Sequence, residues 1–168
     1  MSEEIVNRVA NSKLVVFDLE DYYPKGKRIL FDIKDWLYEG IVLREKEFRA
    51  HVNLQDWSQY KDAYVALTCS TDAIIPAWAY MLVTMYLEPF AKKVLIGDLE
   101  QLEVSLYQTI IENLDTEMFK GKPLIIKGCS NKPVPANAYI LLSQKLKPLA
   151  QSIMYGEACS SVPLFKKR

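Results

Sequence analysis

The sequence predicts an α/β fold, a mixed sheet with a parallel centre, and three observations carry that prediction. Short apolar runs rich in β-branched residues, Tyr64-Val65-Ala66-Leu67 and Leu124-Ile125-Ile126, read as buried strands. Each is followed by a helical stretch and then by a further apolar run, Val94-Leu95-Ile96 or Ile153-Met154-Tyr155, the alternation of an α/β fold. Residues 76–97 also align with 135–156 at nine identities in 22 positions, where chance gives roughly one or two. The sequence thus predicts an internal strand–Cys–helix duplication, over residues 62–98 and 122–157.

The elements follow in order. Leu14-Val15-Val16-Phe17 reads as the first strand, residues 33–38 as a short helix, and Ile41-Val42-Leu43 and Phe48-Arg49-Ala50-His51-Val52 as extended strands. Both strands of the repeat end just before Cys-Ser, at Cys69-Ser70 and Cys129-Ser130. Thr71 or Asp72 in the first copy and Asn131 in the second can cap a helix, with Pro76, Pro133 and Pro135 near the first turn, where proline is tolerated. The two helices carry Tyr80, Leu82, Val83 and Leu87, or Tyr139, Leu141, Leu142 and Leu146, and are ended by Pro89 and Pro148. Gly97 and Gly156 stop the strands that follow, and residues 99–114 form a linking helix.

With 168 residues, half of them apolar, and no Gly/Ser linker, the chain is expected to form one domain, 1–168. Lys plus Arg equals Asp plus Glu at 21 each, so no net field draws nucleic acid or an anionic membrane. The tail Lys166-Lys167-Arg168 reads as a solubilising end. The apolar stretch 73–91 contains two prolines and Glu88, which suits a buried helix better than a membrane span. The start, Met1-Ser2-Glu3-Glu4, lacks the regions of a signal peptide, which predicts a cytoplasmic chain with Cys69, Cys129 and Cys159 as thiols.

A thiol between a strand and a helix start faces unsatisfied N–H groups and the positive end of the helix dipole, which favour thiolate. Ligands in open α/β sheets bind beyond the carboxyl ends of strands, where Cys69 and Cys129 are expected. Strand ends about 4.8 Å apart would let their sulfurs meet at one metal ion or cluster. Cys159, in the small-residue run Gly156-Glu157-Ala158-Cys159-Ser160-Ser161, would bend in as a third ligand. His51, the one histidine, is the candidate fourth, with Asp72 as alternative, because imidazole suits zinc and iron. Against zinc, the chain has no close C-x(2–4)-C pair.

Three readings of the thiols stand side by side: small buried hydrophobes, a shared zinc or iron–sulfur site, or a single reactive thiol at Cys69 or Cys129. Asp18, Glu20 and Asp21 could hold a divalent cation, against the plainer reading of a solvated turn. No phosphate-binding glycine loop and no nucleophile elbow occurs. The phosphatase-type arginine is missing too, for Ile75 and Pro135 stand six residues after Cys69 and Cys129. Trp36, Trp57, Trp78, Tyr80 and Tyr139 read as core.

The string Gly128-Cys129-Ser130-Asn131-Lys132-Pro133-Val134-Pro135, with Gly156-Glu157-Ala158-Cys159-Ser160-Ser161-Val162-Pro163 near the end, resembles an uncharacterised bacterial family filed as a domain of unknown function. The resemblance covers most of the chain. It implies a link to iron–sulfur cluster assembly and to the proteins of that process as partners, without implying an activity. The quinolinate synthases, which hold a four-iron cluster with one cysteine from each of three related units, offer a looser analogy. The leading expectation is therefore a metal- or iron–sulfur-binding accessory protein with ligands Cys69, Cys129, Cys159 and His51. A small cysteine-dependent transferase or hydrolase is the alternative, and a non-catalytic module that contacts a partner or forms a homo-oligomer is the third.

Overall fold

The computed structural model describes residues 13–128 and 131–168, and among these the chain alternates between seven strands and four α-helices. In chain order they are β1 (Val15–Phe17), β2 (Arg28–Asp32), α1 (Glu45–Leu54), β3 (Tyr64–Thr68), α2 (Ala77–Leu87), β4 (Lys93–Ile96), α3 (Leu99–Glu112), β5 (Pro123–Ile126), α4 (Ala136–Leu146), β6 (Ser152–Glu157) and β7 (Ser160–Lys166). The class is α/β, as the alternation predicts. The strands form two sheets, and the described residues divide into two compact units, Lys25–Leu102 and residues 13–24 with 103–128 and 131–168.

In unit Lys25–Leu102 the sheet is all parallel, in the order β2-β3-β4, with Phe31 beside Leu67 and Asp32 beside Thr68. Parallel strands need a crossover, which α2 supplies between β3 and β4. Its residues Ala79, Val83 and Leu87 recur every four positions and are fully buried with Val65 and Leu67 of β3. Phe48 and Val52 of α1 and the rings of Phe31, Trp57 and Tyr60 complete this core.

In the other unit the sheet is mixed, β1-β5-β6-β7, parallel except where β7 returns antiparallel to β6. α4 is set up as α2 is: each spans eleven residues after a proline N-cap, Pro76 at φ −68 and ψ 145, Pro135 at φ −68 and ψ 143. Ala138, Leu142 and Leu146 form its buried stripe against Phe17, Leu124, Ile126 and Ile153, with Tyr107 and Ile111 of α3 alongside. A hydroxyl in each helix bonds back one turn, Thr84 to the Tyr80 carbonyl and Ser143 to the Tyr139 carbonyl.

Four sequence expectations need correction. Residues 48–52 are not a strand: Phe48, Ala50 and Val52 mimic strand alternation, yet only Phe48 and Val52 are buried and Ala50 is exposed, the i, i+4 pattern of the helix they occupy. His51 is therefore a helical residue. Ile41-Val42-Leu43 forms no strand; Val42 makes an isolated bridge to Tyr38 across the turn at Glu39 and Gly40, both at positive φ. Residues 156–161 are not a loop: Gly156 and Glu157 end β6, Ser160 and Ser161 open β7, and Ala158 and Cys159 form the hairpin turn between them, while Lys166 belongs to β7 rather than to the tail. The stretch 73–91, read from the sequence as a helix and needing no correction, yields the eleven-residue α2, and among the described residues no helix is long and apolar enough to cross a membrane.

Candidate functional site

Asp32 closes β2, and Cys69 follows the last residue of β3, so both stand at the carboxyl edge of the parallel sheet. The Asp32 carboxylate accepts the Lys34 N–H at 3.0 Å, starting a 3-10 turn, and reaches across to the Ser70 N–H at 3.1 Å. The side chain of Asp32 thereby fixes the backbone immediately after Cys69. The half-buried Cys69 sulfur lies 3.4 Å from the Thr71 hydroxyl and donates to the Thr71 carbonyl at 3.8 Å. Like Cys69 itself, Ile75, Trp78 and Tyr80, ahead of and within the first turn of α2, pack partly buried against the core of this unit.

Electrostatics bind this group together. Burial pushes the Asp32 carboxyl up, but hydrogen bonds from the Ser70 side chain and from the Lys34 and Ser70 N–H groups, with the Lys34 charge, outweigh it and hold the group below the usual carboxylate range. Tyr80 moves the other way. Burial, then negative charge on Cys69 and on Asp32, keeps its hydroxyl protonated beyond the usual phenol range. An ionised carboxylate and a thiol thus stand at one strand edge, and the protonated Tyr80 phenol belongs to the first turn of the helix that follows.

At the corresponding edge of the other unit, the described side chains are paired with one another. Asp18, at the end of β1, caps a 3-10 turn through the Glu20 N–H and pairs with Lys127 at 3.1 Å. That pair, with Glu157 and Asp21 adding to it, raises the Lys127 ammonium above its usual range. The Glu20 carboxylate accepts the N–H groups of Asn131 and Lys132 ahead of α4. Tyr155 lies over Gly128, its hydroxyl 3.3 Å from the Gly128 carbonyl, and a Cβ at residue 128 would fall 2.6 Å from the ring. Asp18 and Glu20 are thus committed to protein partners.

The predicted ligands fare differently from one another. Cys69 is at a strand end as expected, whereas Cys129 and Ser130 lie outside the described residues. Cys159 is exposed at the turn of the β6–β7 hairpin. His51 lies on the exposed side of α1, its ring stacked on Trp36 at 5.7 Å. Asp72 is exposed in the loop before α2. Among the described residues no three His, Cys, Asp or Glu side chains gather as metal ligands.

Asp32 and Tyr80 were not legible as site residues. One signal points to the aspartate: Phe31-Asp32-Ile33-Lys34-Asp35-Trp36 repeats the pattern of Phe17-Asp18-Leu19-Glu20-Asp21-Tyr22, and both aspartates end a strand and cap a 3-10 turn. Tyr80 carries no such signal, since one side of its ring joins the core.

No curated protein and no solved structure matches the chain. A family model described as protein of unknown function, DUF2480, matches residues 3–167, nearly the full length, and the chain belongs to that family.

Proposed function

We propose that the protein acts through the Cys69 thiol as a small cysteine-dependent transferase or hydrolase, with its reacting centre at the carboxyl edge of β2 and β3. The observation that supports this reading most is the contrast between the two strand edges. Among the described residues, one edge holds the Asp18–Lys127 pair, Glu20 bonded to the Lys132 N–H, and Tyr155 over Gly128; the other presents a thiol next in sequence to Ser70, whose N–H is held by an ionised Asp32 with its ion-pair partner Lys34 4.0 Å away. In this reading Cys69 is the nucleophile: its sulfur attacks an acyl carbon to form a thioester, and the leaving group departs carrying the proton the thiol gives up. The Tyr80 hydroxyl donates to the developing oxyanion, and Asp32 acts as a positioning residue through the Ser70 backbone.

The test is covalent capture. Incubation with a p-nitrophenyl ester followed by mass spectrometry is expected to place one acyl group on Cys69, with none in Cys69→Ser and slower capture in Tyr80→Phe. Acylation that instead follows exposure, with Cys159 modified and Cys69 spared, would refute the reading.

Iron or zinc bound through Cys69, Cys129, Cys159 and His51, in the service of iron–sulfur assembly, is the competing reading. What favours it is the Thr71 hydroxyl 3.4 Å from the Cys69 sulfur, the kind of outer hydrogen bond that ligating thiolates receive. It predicts stoichiometric metal in protein purified without oxygen, lost in Cys69→Ser.

A further inference from the structure

The C-terminal part of the mixed-sheet unit carries a groove that the Cys69 site does not use. Between the last turn of α4 and β7 lie two adjoining hollows of about 310 and 210 Å³ that share Lys147 and Phe165. Their floor is apolar, from Pro148, Ile153, Leu164 and Phe165. The register of β6 with β7 shifts between Ile153 and Met154: Phe165 pairs with Ile153 and Pro163 with Met154, which leaves Leu164 as the extra residue of a bulge. Neighbours on a regular strand point to opposite faces, but this bulge lets Leu164 and Phe165 line the same hollow. Re-aimed side chains of this kind recur beside functional sites.

The charge around the floor has one sign. Lys147 and Lys167 line the first hollow, and neither has an ion-pair partner among the described residues; the Lys147 ammonium rests 5.7 Å from the centre of the Phe165 ring. Residues 143–168 hold five cations (Lys145, Lys147, Lys166, Lys167, Arg168) and one carboxylate (Glu157), a surplus of four in a chain whose net charge is zero. No carboxylate lines either hollow.

We propose that this groove binds an amphipathic carboxylate, its apolar tail along Leu164, Phe165 and Ile153 and its head between the Lys147 and Lys167 ammonium groups. The volume is at the lower end of the range for small-molecule sites and fits a tail of about eight carbons. Octanoate is therefore the probe, with octanol as the neutral tail and acetate as the bare head. Titration of the full chain, followed by amide NMR, is expected to show saturable octanoate binding with shifts confined to residues around Lys147, Leu164 and Phe165. Octanol and acetate should bind at least about tenfold more weakly, and Lys147→Gln with Lys167→Gln should weaken octanoate by about tenfold, the sum of two modest surface charge contacts. Both lysines are exposed, so the double variant is expected to keep the wild-type spectrum. Absence of octanoate shifts in the groove, octanol binding as tightly as octanoate, or unchanged binding in the double variant would each overturn the proposal.

Discussion

Asp32 stays ionised to lower pH than a free carboxylate because its hydrogen bonds with Ser70 and Lys34 outweigh the cost of partial burial. A carboxyl lowered on folding stabilises the fold fully above its unfolded value, 3.8 here, and loses that contribution as pH falls through the lower folded value. Comparing acid unfolding of wild type and Asp32→Asn should show a shallower acid limb in the variant. Asp32→Ala also removes the cap of a 3-10 turn and should cost about 1 kcal/mol in denaturant unfolding, with slower acylation at Cys69 as the ester assay reads it. Tyr80→Phe keeps the packing of the ring and loses only the donor. Its expected signature is capture slowed by at least about tenfold with unchanged stability, which a merely structural tyrosine would not give.

Helix α1 shows why an element can be misread while the class is right. Five residues with apolar side chains at 48, 50 and 52 satisfy a period of two as well as a period of four, and only burial tells them apart. Phe48 and Val52 reach the core formed with α2 and β3, so Phe48→Ala should cost about 3–5 kcal/mol by chemical denaturation, whereas Ala50→Ser on the exposed side should cost under about 0.5 kcal/mol. A strand would have placed residue 50 on the same side as residue 48. The missed strands have a different cause. β2 is an apolar triplet, Ile29-Leu30-Phe31, between Arg28 and Asp32, and nothing local shows that it pairs with β3 over thirty residues later. β7 contains Pro163, which argues against a central strand and is tolerated at this sheet edge. By contrast β3, β4, β5 and β6 were legible because each apolar run is bounded by turn residues and separated by a proline-led helix.

Across the whole chain, zero net charge conceals an uneven distribution, with a surplus of cations over residues 143–168, of which Lys147 and Lys167 line the groove. The alkaline limit of stability is also set by several groups at once. Tyr60 is raised by burial and by the Asp56 charge, and Tyr80 by burial and its two anionic neighbours. A phenol raised on folding contributes fully below its unfolded value of 10.0 and loses that contribution as pH rises through the folded value, so melting temperature should fall above pH 10.0 and fall less in Tyr60→Phe. As for the site, the thiol and its place at a strand end were legible in the Cys-Ser step after Leu67-Thr68, but its surroundings were not. Asp32 arrives from a strand 37 residues earlier in sequence, through parallel pairing that no local pattern encodes, and Tyr80 sits on a helix that looks wholly apolar. The most direct test of the account is the rate of ester acylation at Cys69 against that at Cys159 in the same sample. A faster reaction at the half-buried Cys69, suppressed in Tyr80→Phe, is the result predicted; a faster reaction at the exposed Cys159, with Tyr80→Phe indistinguishable from wild type, would contradict it.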